Sequence, residues 1–287
     1  MSFKNTLLPK TFVINCRGKL LDLSRPVVMG IINITDDSFY AGSRTKSLHL
    51  VLEKAAQHLE EGATILDIGA QSTRPGAPVV GADEETAQLL PAIHAIINKY
   101  PEAIISVDTY HATVAEKAIR AGAAIINDIS AGDMDPQMLT TAGRLQVPYI
   151  AMHMQGTPAT MQQQPHYEDV SREVLDYFIQ KLAHCSAAGI KDVIIDPGFG
   201  FGKTLAHNYQ LLAHLHTFQI LNVPLLAGVS RKSMIYKLLG TTAAEALNGT
   251  TIVNTLALQQ GAHILRVHDV KPAVEAVKVL AYMKEGK

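Results

Sequence analysis

Side chains able to hold a proton, an anion or a ligand recur through this chain of 287 residues, each at the end of a short apolar run. In order they are Asn33, Asp67, Asp108, Asn127, His153 behind Met152, Asp196, Ser230, and Arg266 with His268. Burying even one such group unpaired costs several kcal/mol, so a set this regular describes a polar pocket rather than packing alone. The signs are sorted along the chain. Asp108, Asn127 and Asp196 supply carboxylates and an amide, while Arg231, Lys232, Arg266 and His268 supply cations from the last two runs. Carboxylates and amides suit a flat, donor-rich heterocycle whose N–H groups they meet in pairs. The cationic end suits a phosphate or diphosphate, and Arg266 and His268, two apart, share one face of a strand.

The sharpest local signal is Val193-Ile-Ile-Asp-Pro-Gly-Phe-Gly-Phe-Gly-Lys203. A buried strand stops at Asp196 because Pro197 cannot continue a central strand. Gly198, Gly200 and Gly202 then let backbone approach a ligand. The stretch is not a P-loop, because only three residues separate Gly198 from Gly202, and it lacks the G-x-G-x-x-G spacing as well. Lys203, at the start of the next helix, reads equally well as a solvated residue.

The elements that must position these groups follow from periodicity. Strands are predicted at 27–33, 64–68, 103–108, 124–127, 148–153, 192–196, 224–230 and 263–268. Helices are predicted at 48–59, 84–98, 112–121, near 136–142, 170–188, 205–215, 234–239 with 243–259, and 271–282. Eight strands each followed by helix predict one (β/α)8 TIM barrel over 1–287, with an N-terminal β-hairpin at 11–23 turning at Gly18. A doubly wound open sheet is the alternative. Ligands of such barrels lie at the carboxyl ends of the strands, with phosphate sites behind the last two. Two long loops, 35–47 and 70–82, read as functional covers.

A formal net charge of −1 gives no reason to expect nucleic acid or a membrane surface as partner. Met1 to Phe12 carries no apolar core of a signal peptide, and no run is long enough to span a bilayer. Cys16 and Cys185 fit no metal or redox spacing, so reduced thiols and a cytoplasmic location are expected.

Eight stretches, in order, give the chain a resemblance to the dihydropteroate synthase family over nearly its whole length. They are Met29-Gly-Ile-Ile-Asn-Ile-Thr35, Ser72-Thr-Arg-Pro-Gly76, Ser106-Val-Asp-Thr109, Ile126-Asn-Asp-Ile129, Met152-His-Met-Gln-Gly-Thr-Pro158, the Asp196 to Lys203 stretch, Ser230-Arg-Lys-Ser-Met234 and Arg266-Val-His-Asp-Val270. The resemblance implies a transferase that joins 4-aminobenzoate to 6-hydroxymethyl-7,8-dihydropterin diphosphate, releasing diphosphate and 7,8-dihydropteroate for folate biosynthesis. It implies that Asp108, Asn127, Met152, Asp196, Phe201, Gly228 and Lys232 bind the pterin. Asn33, Arg74, Arg266 and His268 would hold the diphosphate, with Mg2+ as cofactor near Asn33. Thr73, Arg74, Pro75, Phe201 and Ser233 would border the aminobenzoate, and Asp108, Lys232 and Arg266 would be catalytic. It further implies small-molecule substrates, sulfonamide inhibition, and a homodimer joined through helices near 243–259 and 271–282.

The chain departs from the family pattern twice: Asp36 stands where the first loop usually has proline, with the later Asp-Gly-Gly absent, and Gln71 stands where Glu is usual. Some polar residues have plainer readings. Asp67 reads as satisfying buried backbone donors, Asp128 as structural, His153 and Met154 as packing, and His214 and His216 as facing different ways. Two other functions fit a pterin pocket. A methyltetrahydrofolate-dependent methyltransferase would need no diphosphate site, and a non-catalytic pterin-binding protein would need no Arg74.

Overall fold

The computed structural model describes residues 12–34, 44–71 and 80–285. Eight parallel strands form the barrel: β3 (Val27–Asn33), β4 (Ile65–Gly69), β5 (Ile104–Asp108), β6 (Ile125–Asp128), β7 (Tyr149–Met152), β8 (Val193–Asp196), β9 (Leu226–Ala227) and β10 (Ile264–Val267). They pair in the order β8-β7-β6-β5-β4-β3-β10-β9. The ends of that row meet through a parallel bridge between Ile195 and Leu225 and a 3.0 Å bond from Ile195 N–H to the Pro224 carbonyl. The predicted (β/α)8 architecture is therefore the observed one.

Helices α1 (Arg44–Glu60), α2 (Ala82–Lys99), α3 (Ala112–Ala121), α4 (Met138–Leu145), α5 (Val170–Ala187), α6 (Leu205–Ala213), α7 (Ser233–Leu239), α8 (Leu247–Gln259) and α9 (Val270–Glu285) surround the strands. Their starts are capped where sequence permits. Asp169 accepts from the N–H groups of Ser171 and Arg172 ahead of α5, and Thr204 with His207 makes a capping box ahead of α6. Three expectations shift for local reasons. The strand expected at 224–230 is only Leu226–Ala227; Gly228 and Val229 leave the ladder and a turn begins at Ser230. The helix expected from 243 starts at Leu247, since the carbonyls of Ala243 and Ala244 bond to Arg231 instead. The helix over 205–215 stops at Ala213, and a 3-10 helix, Leu215–Leu221, takes over.

Strand alternation sorts the side chains into layers. Met29, Ile65, Ile125, Ile150, Ile194, Leu226 and Ile264 point inward and form an apolar floor. Val28, Leu66, Val107, Ile126, Ala151, Ile195 and Leu265 belong to the core beneath the helices. The hairpin β1 (Val13–Cys16) and β2 (Lys19–Asp22) places Ile14, Cys16, Leu21 and Leu23 in the same cluster as the floor, closing the amino-terminal end of the barrel. Its two-residue turn, Arg17-Gly18, has positive φ at both positions, +55° and +88°, which matches the twist of a tight hairpin. Asp192 Oδ2 accepts from Asn15 N–H at 2.9 Å and ties the hairpin to the barrel.

Candidate active site

Two residues beyond each floor residue, the same pleat brings the next inward side chain. That step runs from Ile65 to Asp67, Ile125 to Asn127, Ile150 to Met152, Ile194 to Asp196, Leu226 to Gly228 and Ile264 to Arg266. Four of these six are polar, while Met29 is followed by the apolar Ile31, and the layer collects most of the residues assigned to the pterin. Asp108 joins it from the end of β5, paired in register with Asn127 and Gly69.

Arg266 is the hub. Its Nε donates to Asp67 Oδ2 at 2.6 Å, and its Nη2 donates to Asp108 Oδ2. Asp67 also accepts from Asn127 Nδ2 at 3.2 Å. This corrects the expectation that Asp67 only satisfies backbone donors: it is the fully buried counter-ion of Arg266. Burial pushes the Asp108 carboxyl up, and the guanidinium in contact with it pulls the other way. Asp108, Asn127, Asp196, Lys232 and Arg266 all gather at the carboxyl-terminal mouth.

Asp196 and Lys232 flank a gap left by Gly228, where a methyl group would stand 3.5 Å from Asp196 Oδ2 and 3.7 Å from Lys232 Nζ. Asp196 Oδ1 is anchored by Gly198 N–H at 2.8 Å. Burial raises its pKa, opposed chiefly by Lys232. Burial lowers Lys232 to about 8, opposed by Asp196. The Lys232 ammonium donates to the Phe199 carbonyl at 2.5 Å and lies 4.7 Å from the centre of the Phe201 ring, a cation–π contact. Phe201 packs with Tyr110, Ile129, Met152 and Met154, so an apolar wall stands beside the polar layer.

The anion end differs from its simple reading. Arg231 meets Asp269 through Nε at 2.7 Å and Nη2 at 3.0 Å, so its charge is already matched. Burial first, and Arg266 second, push the pKa of His268 down to about 4. Its Nδ1 lies 3.1 Å from Ser230 Oγ. Asn33 and His268 line one cavity of about 500 Å3 with Lys54, Arg231 and Asp269. Lys54 is a cation that the sequence reading did not single out, since on α1 it looks like any helical surface lysine. Ser233 opens α7 directly after Lys232.

Thr73, Arg74 and Pro75 lie outside the described residues, as do residues 35–43 of the first loop. At the root of the second loop, the Gln71 amide donates to the Val80 carbonyl while accepting from Val80 N–H at 3.2 Å. A glutamate could only accept, which gives the substitution in the family pattern a local reason. Lys203 is buried at 3 % exposure, not solvated. Asp128 is occupied by Ser130, Gly132 and the Tyr149 hydroxyl, a structural role as expected. His216 bonds Gln260, and His214 ends α6.

Residues 29–268 match the model of the pterin binding enzyme family. The chain is 48% identical to the dihydropteroate synthase of Escherichia coli (strain K12) over 266 residues, 92% of this chain and 94% of that protein. It is similar to the Yersinia pestis dihydropteroate synthase solved with a sulfonamide drug, with a TM-score of 0.90 at 43% identity, covering 96% of this chain and 100% of that one. It is likewise similar to the Xanthomonas albilineans dihydropteroate synthase solved with 4-aminobenzoic acid, with a TM-score of 0.88 at 40% identity, covering 96% and 99%.

Proposed function

This chain belongs to the pterin binding enzyme family, and from that premise we propose that it makes 7,8-dihydropteroate from 4-aminobenzoate and (7,8-dihydropterin-6-yl)methyl diphosphate. The observation that carries this reading is the polar layer itself, with Asp108, Asn127 and Asp196 facing one mouth beside Lys232 and Arg266. Carboxylates and an amide take the donor-rich edge of the pterin, while Met152 and Phe201 cover its apolar faces.

The reaction breaks the bond from the pterin methylene to the diphosphate oxygen, and the diphosphate keeps the electron pair. The lone pair of the arylamine nitrogen forms the new C–N bond, and that nitrogen then releases a proton. Positive charge builds on the methylene in between, where the carboxylate of Asp108 stabilises it. Arg266 and Lys232 balance the departing anion. No side chain has to act as nucleophile, so the rate comes from placement and field. His268, its Nδ1 3.1 Å from Ser230 Oγ, and Asn33 face the same cavity. Thr73, Arg74, Pro75, Phe201 and Ser233 border the arylamine in this reading, with Arg74 also reaching the diphosphate.

Mg2+ belongs to the proposal. Among the described residues no cluster of three His, Cys, Asp or Glu could hold a metal. Asn33, on the wall of the cavity it shares with His268, would offer the ion an oxygen ligand, the kind Mg2+ prefers. Bound there, it would neutralise charge on the leaving group.

Exposed apolar side chains on α8 and α9, among them Ile252, Leu256, Val279 and Met283, support a homodimer through those helices. Buried free thiols at Cys16 and Cys185 accord with a cytoplasmic setting. The test is turnover: with both substrates and Mg2+ the chain releases diphosphate and dihydropteroate, and excess chelator stops release. Asp196→Asn keeps the fold and loses about 100-fold in pterin affinity by calorimetry. Pterin binding without turnover would favour a non-catalytic module instead, and a fully active Asp196→Asn would refute the site.

A further inference from the structure

The glycine-rich loop after β8 has positive φ at Gly198, Gly200 and Gly202, at +70°, +83° and +62°. Alternation of that kind makes no helical or sheet ladder, so its buried carbonyls need donors from elsewhere. Five consecutive carbonyls find them in side chains. Gly198 O accepts from Lys203 Nζ at 3.0 Å, Phe199 O from Lys232 Nζ, and Gly200 O from Gln162 Nε2 at 2.8 Å. Phe201 O accepts from Lys203 Nζ at 3.0 Å, and Gly202 O from the Tyr167 hydroxyl at 2.9 Å.

Lys203 serves two of the five, and its third contact is His153 Nδ1 at 2.9 Å. These contacts would use all three donors of an ammonium, a form that burial opposes, lowering the pKa to about 7, and that Asp196 favours. The carbonyls at the two ends of the loop differ in their donors: Gly198 O has a second one besides Lys203. At the strand end, Gly198 N–H is fixed by Asp196, Gly198 O also accepts from Phe201 N–H at 3.1 Å, and a methyl group at Gly198 would meet His153 O at 1.9 Å. Packing is close at the far end as well, where a methyl group at Gly202 would meet Gln155 O at 2.5 Å, so the ends differ in the donors their carbonyls have. At the far end, the Phe201 carbonyl has the Lys203 ammonium as its donor, and the ring of Phe201 is the part that faces Lys232 and the apolar wall.

We propose that Lys203 is a positioning residue for the arylamine: by holding the Phe201 carbonyl from behind, it sets the Phe201 ring that borders the second substrate, without touching substrate itself. The inference rests on the pterin and aminobenzoate reading above. It separates the loop into an Asp196 end that survives loss of Lys203 and a Phe201 end that does not.

The test is Lys203→Met in the full chain, with diphosphate release measured while each substrate is varied and pterin binding measured alone by calorimetry. The KM for 4-aminobenzoate should rise about ten-fold, with kcat and the pterin Kd each within about three-fold of wild type. Gln162→Ala, which frees only the Gly200 carbonyl at the exposed side, should move the same KM the same way by a smaller factor. It decides the matter if Lys203→Met does not fold, as judged by circular dichroism and thermal unfolding. An unchanged arylamine KM, or a pterin Kd that weakens in step with it, overturns the assignment. A wild-type chain that releases no diphosphate at all would sink the underlying reading, and this inference with it.

Discussion

Arg266 Nε and Asp67 Oδ2 meet at 2.6 Å across 199 residues of sequence, joining β10 to β4 beneath the pocket. Asp67 is fully buried and the Arg266 side chain is 21% exposed, so removing the acid takes one of two carboxylate partners from a largely buried guanidinium. Asp67→Ala should lower the unfolding free energy by about 3 kcal/mol, read from urea denaturation at constant slope. A loss below about 1 kcal/mol would show that Asp108 alone satisfies the arginine.

Glu85, in the first turn of α2, is fully buried, and neither of its oxygens reaches a donor at hydrogen-bond geometry. The nearest basic group is His111 Nε2, 3.9 Å away. Burial pushes the carboxyl from 4.5 up to about 7, with Asp108 adding to it and the polar groups of Thr109 and Gln71 pulling back. The folded state therefore holds this proton to higher pH than the unfolded chain does. Its contribution to stability is complete below about pH 4.5 and is lost as pH rises through about 7. Glu85→Gln should erase that decline, worth up to about 1.4 kcal/mol per pH unit inside the window. Urea midpoints for both proteins at pH 5 and pH 7 check it, and parallel shifts in the two would contradict it.

The apolar stripes on α8 and α9 give a prediction about assembly. Ile252 and Val279 are 54% and 70% exposed on helices that pack together. Wild-type protein should sediment at twice the 31.0 kDa chain mass, and Ile252→Glu combined with Val279→Glu should sediment as a single chain. A monomeric wild type would remove these helices as an interface.

Much of the barrel was readable because each strand is a nearly continuous apolar run, which only a sheet covered on both faces can use. The site was readable for the same reason, since a lone Asp, Asn or Arg inside such a run has to face the interior mouth. Pairings were not. Asp67 and Arg266 each stood out, yet nothing in one sequence says which carboxylate a given arginine will meet when three are near. Lys203 was missed as a buried group because a lysine ahead of a helix usually points to water. The burial of His268, which lowers its pKa, was not legible either, because it depends on what packs around the strand end. Arg231 was counted as free, and Asp269, which neutralises it, lies 38 positions later.

The hairpin packs under an apolar floor that already fills the barrel, so the polar layer above it is reached from the carboxyl-terminal mouth. With Ile14, Leu21 and Leu23 stopping the far side, the molecule seated nearest the floor must arrive before anything stacked above it. A product built from both halves can retreat only along the route by which they came. On the proposed function this predicts pterin binding ahead of 4-aminobenzoate, which initial rates with each substrate varied in turn would check.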